Sequence, residues 1–357
     1  MTAILELLQL MIARGASDLV ITAEAVPHMT IGGVMAPLTR PPLEPGESKE
    51  IALSLMTEKE RAQFEHTREC NFALNIGHAS RFRVNVYLQR GEVSLVIRLI
   101  KGRIPGFAEL GLPRAIAQLS LLRSGLVLVV GSTGSGRSTT VSAMIAHRAQ
   151  MMAGHILTIE DPIEYLFTHG KALVEQREVG LDTASYGDAL RNVIRQAPDV
   201  VMIDEIRDLE IARHALMYAE AGMLCISTMH ANSTGQALSR LIHLFPEETR
   251  KQVMQDLALN LRGVVFQRML PAKAGGLVLA PEVLLESAYA SSLLQRGATD
   301  ELPDAIRKGA EKGMLLFEDS FIALFDEGRI SEQTALELAG NRPDLVLKIK
   351  HGGAKNY

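Results

Sequence analysis

The sequence predicts an α/β protein in which a parallel-sheet domain is preceded by a smaller α+β domain and followed by a helical segment. Two observations predict the parallel sheet. Short, continuously apolar runs alternate with helical segments from 126 to about 285, which is typical of strands that helices cover on both faces. The first apolar run also leads into a Gly- and Ser-rich loop and then into a helix. A chain of 357 residues is long enough for more than one domain.

The N-terminal part of the chain predicts the α+β domain. An amphipathic helix, whose apolar stripe includes Ile4, Leu8 and Met11, is expected to end at Gly15. Hairpin-like strands follow, with the sequences LVITA, HMTIGGVMAPL, FALNIG, RFRVNVYLQR and VSLVIRLI. A helical stretch from 48 to about 65 interrupts them. Strands joined in this way around one helix indicate a small α+β domain.

Breaks in composition give the domain boundaries. The strands of the larger domain read LVLVV, HILTI, DVVMID, LCISTMH and VLAPEVLL. Before them, a dense cluster of Gly and Pro marks a linker. After them, the segments DAIRKGAEKG, FEDSFIALFDEG and SEQTALELA predict helices. We therefore predict the N-terminal domain at 1–100, the linker at 101–113, the parallel-sheet domain at 114–288, and a helical segment with a polar tail at 289–357.

The composition limits the classes of partner. Lys and Arg total 37 against 41 Asp and Glu, a net charge of −4, so a basic surface for nucleic acid or an anionic membrane is not expected. Two cysteines are too few for a disulfide framework or a zinc site. The N-terminal helix lacks a signal-peptide pattern, and no apolar run reaches the ~18 residues of a membrane span. We expect a cytoplasmic protein that binds no nucleic acid and meets a membrane only through a partner.

A phosphate-binding loop is the most specific motif. The segment GSTGSGRST lies between the strand LVLVV and a helical pattern, and it matches the Walker A form G-x-x-x-x-G-K-[ST] except that Arg137 takes the lysine position. Its glycines let successive backbone N–H groups face a phosphate, and the helix N-terminus adds positive partial charge. The predicted ATP-binding residues are Gly131, Ser132, Thr133, Gly134, Ser135, Gly136, Arg137, Ser138 and Thr139, with the Ser138 hydroxyl also placed to bind Mg²⁺.

Arg137 keeps the positive charge of the usual lysine but changes its geometry. A guanidinium is larger, planar and forked, whereas an ammonium is a compact point charge. Phosphoryl transfer depends on positioning and electrostatics, and displacements near 1 Å cost on the order of 10²-fold in rate. We therefore predict a chain that binds ATP but hydrolyses it slowly.

Polar groups follow three further strands of the predicted sheet. One strand ends in TIEDPIE, which contains Glu164, and another in DVVMIDE, which contains Asp204 and Glu205. Since the carboxyl ends of parallel strands meet at one edge of a sheet, these carboxylates are expected beside the loop, where they suit Mg²⁺ coordination and orientation of an attacking water. The strand LCIST leads to His230, which could hydrogen-bond a γ-phosphate. Any one of these groups alone is more often structural; their convergence favours a site.

The motifs resemble, in order and spacing, the Walker A, Asp box, Walker B and His box of the type II/type IV secretion ATPase superfamily. The segments GSTGSGRSTT, TIEDPIEY, DVVMIDEIRD and STMHANST carry this resemblance. The segments SDLVITAEAVPHMTIGGVMAPL and RFRVNVYLQRG are similar to its PilT/PilU pilus-retraction branch, and EQREVGLDTASY and GMLLFEDSFIALFDEGRI are most similar to the PilU type within that branch. The resemblance covers nearly the whole chain.

The resemblance implies both a fold and an assembly. It implies a PAS-like N-terminal domain, a RecA-like P-loop ATPase domain, and a homo-hexameric ring that couples Mg²⁺-dependent ATP hydrolysis to pilus retraction and twitching motility. It also implies a PilT-type ATPase and the inner-membrane platform protein of the pilus as partners. The protein would then be associated peripherally with the inner membrane, through the pilus machine.

The resemblance also implies roles for single residues. Glu164 of the Asp box would activate the attacking water, Glu205 would help to hold Mg²⁺, and His230 would sense the γ-phosphate. Arginines of the N-terminal domain reach the nucleotide in this family, where they stabilise transition-state charge. The candidates on the matching strands are Arg83 and Arg98, with Arg81 and Arg90 behind them.

One further departure from the family pattern leaves two interpretations open. Asp204 stands where the family usually has glycine, which moves the site towards the Asp-Glu pattern of other P-loop ATPases and blurs the division of roles between Glu164 and Glu205. The chain is either a hydrolysing motor, as the intact acidic and histidine positions favour, or an accessory ATP-binding subunit with little or no hydrolysis, as Arg137 favours. A DNA-handling RecA-like ATPase is disfavoured by the charge and by the order of the four motifs.

Overall fold

The chain forms two compact units. The computed structural model describes residues 2–76, 80–100 and 102–352. The first unit comprises the chain up to Arg103 together with Pro162–Leu166 and Gly180–Ala184, and the second comprises Ile104–Asp161, Phe167–Val179 and the chain from Ser185 onward. Gly77 of the predicted strand FALNIG, Lys101 of the predicted linker and the polar tail from 353 lie outside the described residues.

A six-stranded antiparallel sheet forms the centre of the first unit, with the strand order β3-β2-β1-β6-β5-β4. Its strands are β1 (Asp18–Thr22), β2 (His28–Ile31), β3 (Val34–Pro37), β4 (Glu69–Ile76), β5 (Ser80–Gln89) and β6 (Glu92–Ile100). The predicted stripe of Ile4, Leu8 and Met11 lies on α1 (Thr2–Arg14) and is buried in one cluster with strand residues such as Phe82 and Ile97. The helix therefore covers one face of the sheet.

The helical stretch predicted from 48 to about 65 forms two helices, so the prediction of one continuous helix was wrong. These are α2 (Glu47–Leu55) and α3 (Glu58–Thr67), separated by Met56 in an extended conformation. Thr57 caps α3 in a capping box with Glu60, whose carboxylate accepts from the Thr57 N–H at 2.6 Å. A capping box satisfies N–H groups that a helix start leaves unpaired. It therefore starts a new helix where the periodicity alone suggested continuation.

The second unit contains a seven-stranded sheet with the order β13-β12-β7-β11-β10-β8-β9. Its strands are β7 (Gly125–Val130), β8 (Gly154–Glu160), β9 (Ala172–Glu178), β10 (Val200–Glu205), β11 (Leu224–Met229), β12 (Leu261–Pro271) and β13 (Leu277–Leu285). All neighbours pair in parallel except β12 and β13, which form an antiparallel hairpin. The predicted α/β fold with a parallel sheet is confirmed, although β9 and β12 were not predicted.

Helices surround the sheet of the second unit. They are α4 (Phe107–Leu110), α5 (Arg114–Ser120), α6 (Arg137–Met151), α7 (Tyr186–Gln196), α8 (Leu209–Glu220), α9 (Thr234–His243), α10 (Glu247–Asn260), α11 (Ala288–Gln295), α12 (Leu302–Lys308), α13 (Phe317–Asp326), α14 (Glu332–Ala339) and α15 (Pro343–Gly352). Across the described ranges, no helix is both long enough and apolar enough to cross a bilayer.

Burial of β7 on both faces explains its continuous apolar sequence. Leu126 and Leu128 belong to one buried cluster and Val127 and Val129 to another, so successive side chains of the strand enter different cores. Successive residues of a strand point to opposite faces, and a strand covered on both sides must be apolar throughout. The sheet thus buries β7 between two of its neighbours, and the carboxyl end of this strand begins the candidate site.

Candidate nucleotide site

The phosphate loop, Gly131–Gly136, joins the end of β7 to the first turn of α6. Gly134 and Gly136 adopt left-handed conformations with φ of 78° and 85°, which favour glycine. At Gly131 a Cβ atom would lie 2.4 Å from the Ser135 Oγ and 2.6 Å from the Gln267 carbonyl oxygen. The loop therefore requires these glycines for two reasons, backbone conformation and lack of space.

Gln267 of β12 supports the phosphate loop through a hydrogen bond to its backbone. Its side chain is buried, and its Nε2 donates to the carbonyl oxygen of Ser135 at 2.7 Å. A Cβ on Gly136 would lie 3.2 Å from the same Nε2. Sequence reasoning missed Gln267 because it missed β12. The glutamine that directly follows the apolar run GVVF was the signal that could have indicated it.

Arg137, at the start of α6, directs its guanidinium into the protein. Its Nη1 donates to the carbonyl oxygens of Gly131 and Met229, the latter at 3.1 Å, and its Nη2 lies 3.0 Å from the Nε2 of His230. Burial lowers the pKa of Arg137, and the nearby carboxylates of Glu205 and Asp204 oppose that shift. Arg137, which takes the lysine position of the Walker A motif, thus links the first residue of the phosphate loop to the end of β11.

Asp204 and Glu205 lie at an irregularity in the sheet. Ile203 pairs with Ser227 and Glu205 with Thr228, so Asp204 is an extra residue on β10, which is the definition of a β-bulge. The Thr228 hydroxyl donates to the Asp204 carbonyl oxygen at 2.6 Å and fixes the bulge. Bulges redirect side chains, and this one lies at Asp204, where the family resemblance implies a glycine.

His230 follows β11 and faces the end of β10. Its Nε2 lies 3.3 Å from the Oε1 of Glu205, in addition to its contact with Arg137. The Nη1 of Arg240 donates to the His230 carbonyl oxygen at 2.9 Å and holds the backbone there. The structure therefore brings together Arg137, Asp204, Glu205 and His230, as the strand-end argument predicted.

Glu160, the last residue of β8, is buried next to this group. Its Oε1 accepts from the Thr158 hydroxyl at 2.6 Å and from the Gln176 amide at 3.0 Å. Burial, together with the negative charges of Asp204 and Glu178, raises its pKa to about 7. The sequence placed Glu160 in the acidic motif but did not single it out, because burial is not visible in the motif. We call Glu160, Asp204, Glu205 and His230 the acidic side of the site.

The predicted catalytic residues other than Glu205 and His230 belong to the first unit. Glu164 is exposed and lies in the segment Pro162–Leu166. Arg83 and Arg98 are register partners on β5 and β6, and the Nε of Arg98 is paired with the Oδ1 of Asp18 at 2.8 Å. Arg81 also lies on β5, whereas Arg90 occupies the turn after it with a φ of 54°. The functional roles of these residues remain predictions of the sequence.

The donor set at the strand edge fits a hard divalent cation. Ser138 lies in the first turn of α6, half-buried, and the two carboxylates of Asp204 and Glu205 are also half-buried. Hydroxyl and carboxylate oxygens are the ligands that Mg²⁺ prefers, and Mg²⁺ usually takes only one or two carboxylates with phosphate and water completing its shell. In the described part of the chain no cluster of three or more His, Cys, Asp or Glu suits a metal held by protein alone.

A cavity of about 200 Å³ opens beside the first turn of α6. It is lined by both polar and apolar groups, which include Thr139, Gln267, Met269, Leu277 and Arg329. Thr139 lies two residues after Arg137, so the cavity adjoins the helical end of the phosphate loop. Concave sites with a few polar groups among apolar ones are typical of small-molecule binding.

Comparisons with known proteins agree on one family. A family profile described as type II/IV secretion system protein matches residues 2–292. The type IV pilus ATPase PilU of Pseudomonas aeruginosa is 44% identical over 348 residues, which cover 97% of this chain and 91% of PilU. The type IV pilus retraction ATPase PilT of the same organism is 35% identical over 336 residues, which cover 94% of this chain and 98% of PilT.

Solved structures give the same result. The crystal structure of the pilus retraction motor PilT with bound ADP matches with a TM-score of 0.88 at 38% identity, over 96% of this chain and 98% of that one. The ATPase DotB of Legionella pneumophila matches with a TM-score of 0.80 at 25% identity, over 94% of each chain. The predicted combination of an N-terminal domain with a RecA-like ATPase domain is the fold of these proteins.

Proposed function

Because the chain belongs to the type II/IV secretion system protein family, as a PilT/PilU-type type IV pilus ATPase, we propose that it is an ATP-driven motor of pilus retraction and twitching motility. The observation that supports this most directly is the convergence of the phosphate loop, the bulged end of β10 and His230 on one edge of the sheet. In this proposal the protein works at the cytoplasmic face of the inner membrane, as a homo-hexamer, and meets the membrane only through the platform protein of the pilus.

The residues divide the work of phosphoryl transfer among themselves. The N–H groups of the phosphate loop and of the first turn of α6 hold the β- and γ-phosphates, and the cavity beside Thr139 holds the base and ribose. Ser138, Asp204 and Glu205 hold Mg²⁺, which when bound neutralises charge that develops on the phosphate oxygens.

Three further roles complete the proposed site. Glu164 orients the attacking water, and His230 reports the presence of the γ-phosphate. Arg83 and Arg98 are proposed to stabilise the transition-state charge. Of these residues, only His230 belongs to the described cluster at the strand edge, and its 3.3 Å contact with Glu205 supports its role.

Arg137 supports a second candidate function, that of an accessory ATP-binding subunit. The contacts of its guanidinium are to two carbonyl oxygens and an imidazole nitrogen of the protein, which is not how a phosphate-holding lysine works. In this alternative the chain binds ATP, turns it over slowly and supports a competent PilT-type ATPase. The geometry favours weakened hydrolysis in either case, since phosphoryl transfer is sensitive to displacements near 1 Å.

A matched assay of nucleotide affinity and turnover tests the ATP binding and the weakened hydrolysis that both candidates share. The wild-type protein, Arg137→Lys, and Arg137→Lys combined with Glu164→Gln are compared at saturating Mg²⁺. We expect all three to bind ATP, Arg137→Lys to hydrolyse it at least about tenfold faster than wild type, and the double variant to lose that gain. Equal and rapid turnover in the first two proteins would contradict weakened hydrolysis, and absence of ATP binding in all three would contradict the proposed function itself.

A further inference from the structure

The imidazole of His230 lies between two groups that make opposite demands on one atom. Its Nε2 is 3.0 Å from the Nη2 of Arg137 and 3.3 Å from the Oε1 of Glu205. A guanidinium has only donors, whereas an ionised carboxylate has only acceptors. A hydrogen bond from Arg137 requires a lone pair on Nε2, and a hydrogen bond to Glu205 requires a proton there. Only one of these two bonds exists at a time.

The contact between Arg137 and His230 is the shorter of the two, and the other hydrogen bonds of Arg137 favour it. The guanidinium of Arg137 is anchored by two further bonds, to the carbonyl oxygens of Gly131 and Met229, which aim its Nη2 at the imidazole. The neutral ring must then carry its proton on Nδ1, because Nε2 accepts. In that tautomer His230 cannot donate to Glu205, although the two lie close together.

The anchoring carbonyl oxygens also connect His230 to the phosphate loop. Gly131 is the first residue of that loop, and its carbonyl oxygen accepts from the same Nη1 that bonds to Met229. A guanidinium and a phosphate carry opposite charges and can form two parallel hydrogen bonds, an attraction that carbonyl oxygens and a neutral imidazole do not offer. A phosphate in the loop is therefore expected to compete for a guanidinium whose hydrogen bonds go to two carbonyl oxygens and an imidazole, although the carboxylates of Glu205 and Asp204 also attract it.

We propose that Arg137 is a positioning residue that couples phosphate occupancy of the loop to the tautomer of His230. Without phosphate, Arg137 holds His230 with Nε2 as an acceptor. When a diphosphate group binds in the loop, the guanidinium turns to it, the Nε2 of His230 takes the ring proton that Nδ1 releases, and His230 donates to Glu205. The net proton count of the imidazole does not change. This inference rests on the proposed function, since it requires phosphate binding at the loop.

The forked shape of arginine is essential to this coupling. Its two terminal nitrogens reach the carbonyl oxygens and the imidazole at the same time. A lysine has a single terminal nitrogen on its stem and cannot hold the same three acceptors in the same geometry. Arg137→Lys should therefore keep the positive charge and lose the coupling, which makes it the matched control.

The test is a histidine-selective NMR experiment on the full-length protein. The ring carbons of histidine are labelled with ¹³C in a deuterated background, the spectra are recorded at one fixed alkaline pH, and His230→Gln assigns the signal. Two histidines serve as internal references, because His243 places its Nδ1 2.7 Å from the Ser239 carbonyl oxygen and His155 places its Nε2 2.8 Å from Glu175. Inorganic pyrophosphate is the probe, and its binding is measured on the same samples by calorimetry.

We expect His230 to resemble His243 in the free wild-type protein and to move towards the signal of His155 as pyrophosphate saturates. In the Arg137→Lys variant, His230 should lack the signal of the tautomer protonated at Nδ1 even before pyrophosphate is added. Pyrophosphate binding without a tautomer change, or an identical response in Arg137→Lys, would overturn the inference and leave the proposed function intact. Absence of pyrophosphate binding to the wild type would overturn both. If Arg137→Lys fails to fold, the pyrophosphate titration of the wild type tests the inference by itself.

Discussion

The phosphate loop and the acidic side occupy one edge of the sheet but are held in place by different means. The loop is fixed by backbone conformation and by lack of space, since Gly131 fits closely against Ser135 and the carbonyl oxygen of Gln267. The acidic side is fixed by hydrogen bonds between side chains and backbone, around a bulge at Asp204. The difference teaches that the loop should be sensitive to a single added atom at Gly131, whereas the acidic side should be sensitive to pH, through the raised pKa of Glu160.

The largest effect is expected from Gly131→Ala, which disturbs the loop through steric overlap. The new Cβ would lie 2.6 Å from the backbone oxygen of Gln267, which cannot move without disturbing β12. We expect a loss of about 10²-fold or more in turnover and a destabilisation of ~1–3 kcal/mol. Gly106→Ala is the control, because a Cβ there meets nothing within 4 Å. Equal turnover in the two variants would show that the loop is not held by packing.

A pH-dependent effect of up to about 3 kcal/mol is expected on the acidic side, at Glu160. The unfolded chain ionises this group near its ordinary value of 4.5, whereas burial and neighbouring charges raise its pKa to about 7 in the folded protein. The folded protein therefore binds more protons between these two values. The stability that the protonated group contributes is complete below pH 4.5 and is lost as the pH rises through 7.

Denaturant unfolding of Glu160→Gln between pH 5 and pH 8 checks this expectation. The variant cannot ionise at this position, so its free energy of unfolding should fall less than that of the wild type over this interval. Glu332→Gln, at an exposed glutamate on α14, is the control and should follow the wild type. Parallel pH profiles for the wild type and Glu160→Gln would mean that Glu160 is ionised throughout.

An intermediate effect is expected from Gln267→Ala, which removes the support of the loop without touching the loop itself. The carbonyl oxygen of Ser135 then loses the 2.7 Å bond from Nε2 in a buried environment. An unpaired buried polar group costs ~1–3 kcal/mol, and we expect weaker nucleotide binding as the loop relaxes. Thermal unfolding and calorimetric titration with ADP measure the two effects. Gln118→Ala, at an exposed glutamine, should leave both unchanged.

The smallest effect, ~1 kcal/mol of stability, is expected from Thr228→Val at the bulge. The Thr228 hydroxyl bonds to the carbonyl oxygen of Asp204, the extra residue of β10. Ser227→Ala is a matched control, since the Ser227 hydroxyl bonds to the carbonyl oxygen of Ile203, just before the bulge. We expect similar losses of stability in the two variants but a weaker Mg²⁺ dependence of turnover only in Thr228→Val. Identical Mg²⁺ titrations would show that the bulge does not position the carboxylates.

Much of the fold could be predicted because its signals are local. The run LVLVV predicts a strand buried on both faces, and β7 enters two cores. The strands β9 and β12 were missed for physical reasons. β9 is at the edge of the sheet and alternates buried with exposed residues, unlike its neighbours. β12 contains Arg262, Gln267 and Arg268 among its apolar residues, so it does not read as a continuous run.

The sequence by itself determined the phosphate loop, the order of the strand-end motifs and the presence of Arg137. These depend on backbone conformation and burial pattern, which neighbouring residues encode. Only the tertiary structure decided what Arg137 contacts and what supports the loop, because His230 lies 93 residues from Arg137 and Gln267 lies 132 residues from Ser135. It also decided the raised pKa of Glu160, because desolvation and the fields of Asp204 and Glu178 exist only once the strands are assembled.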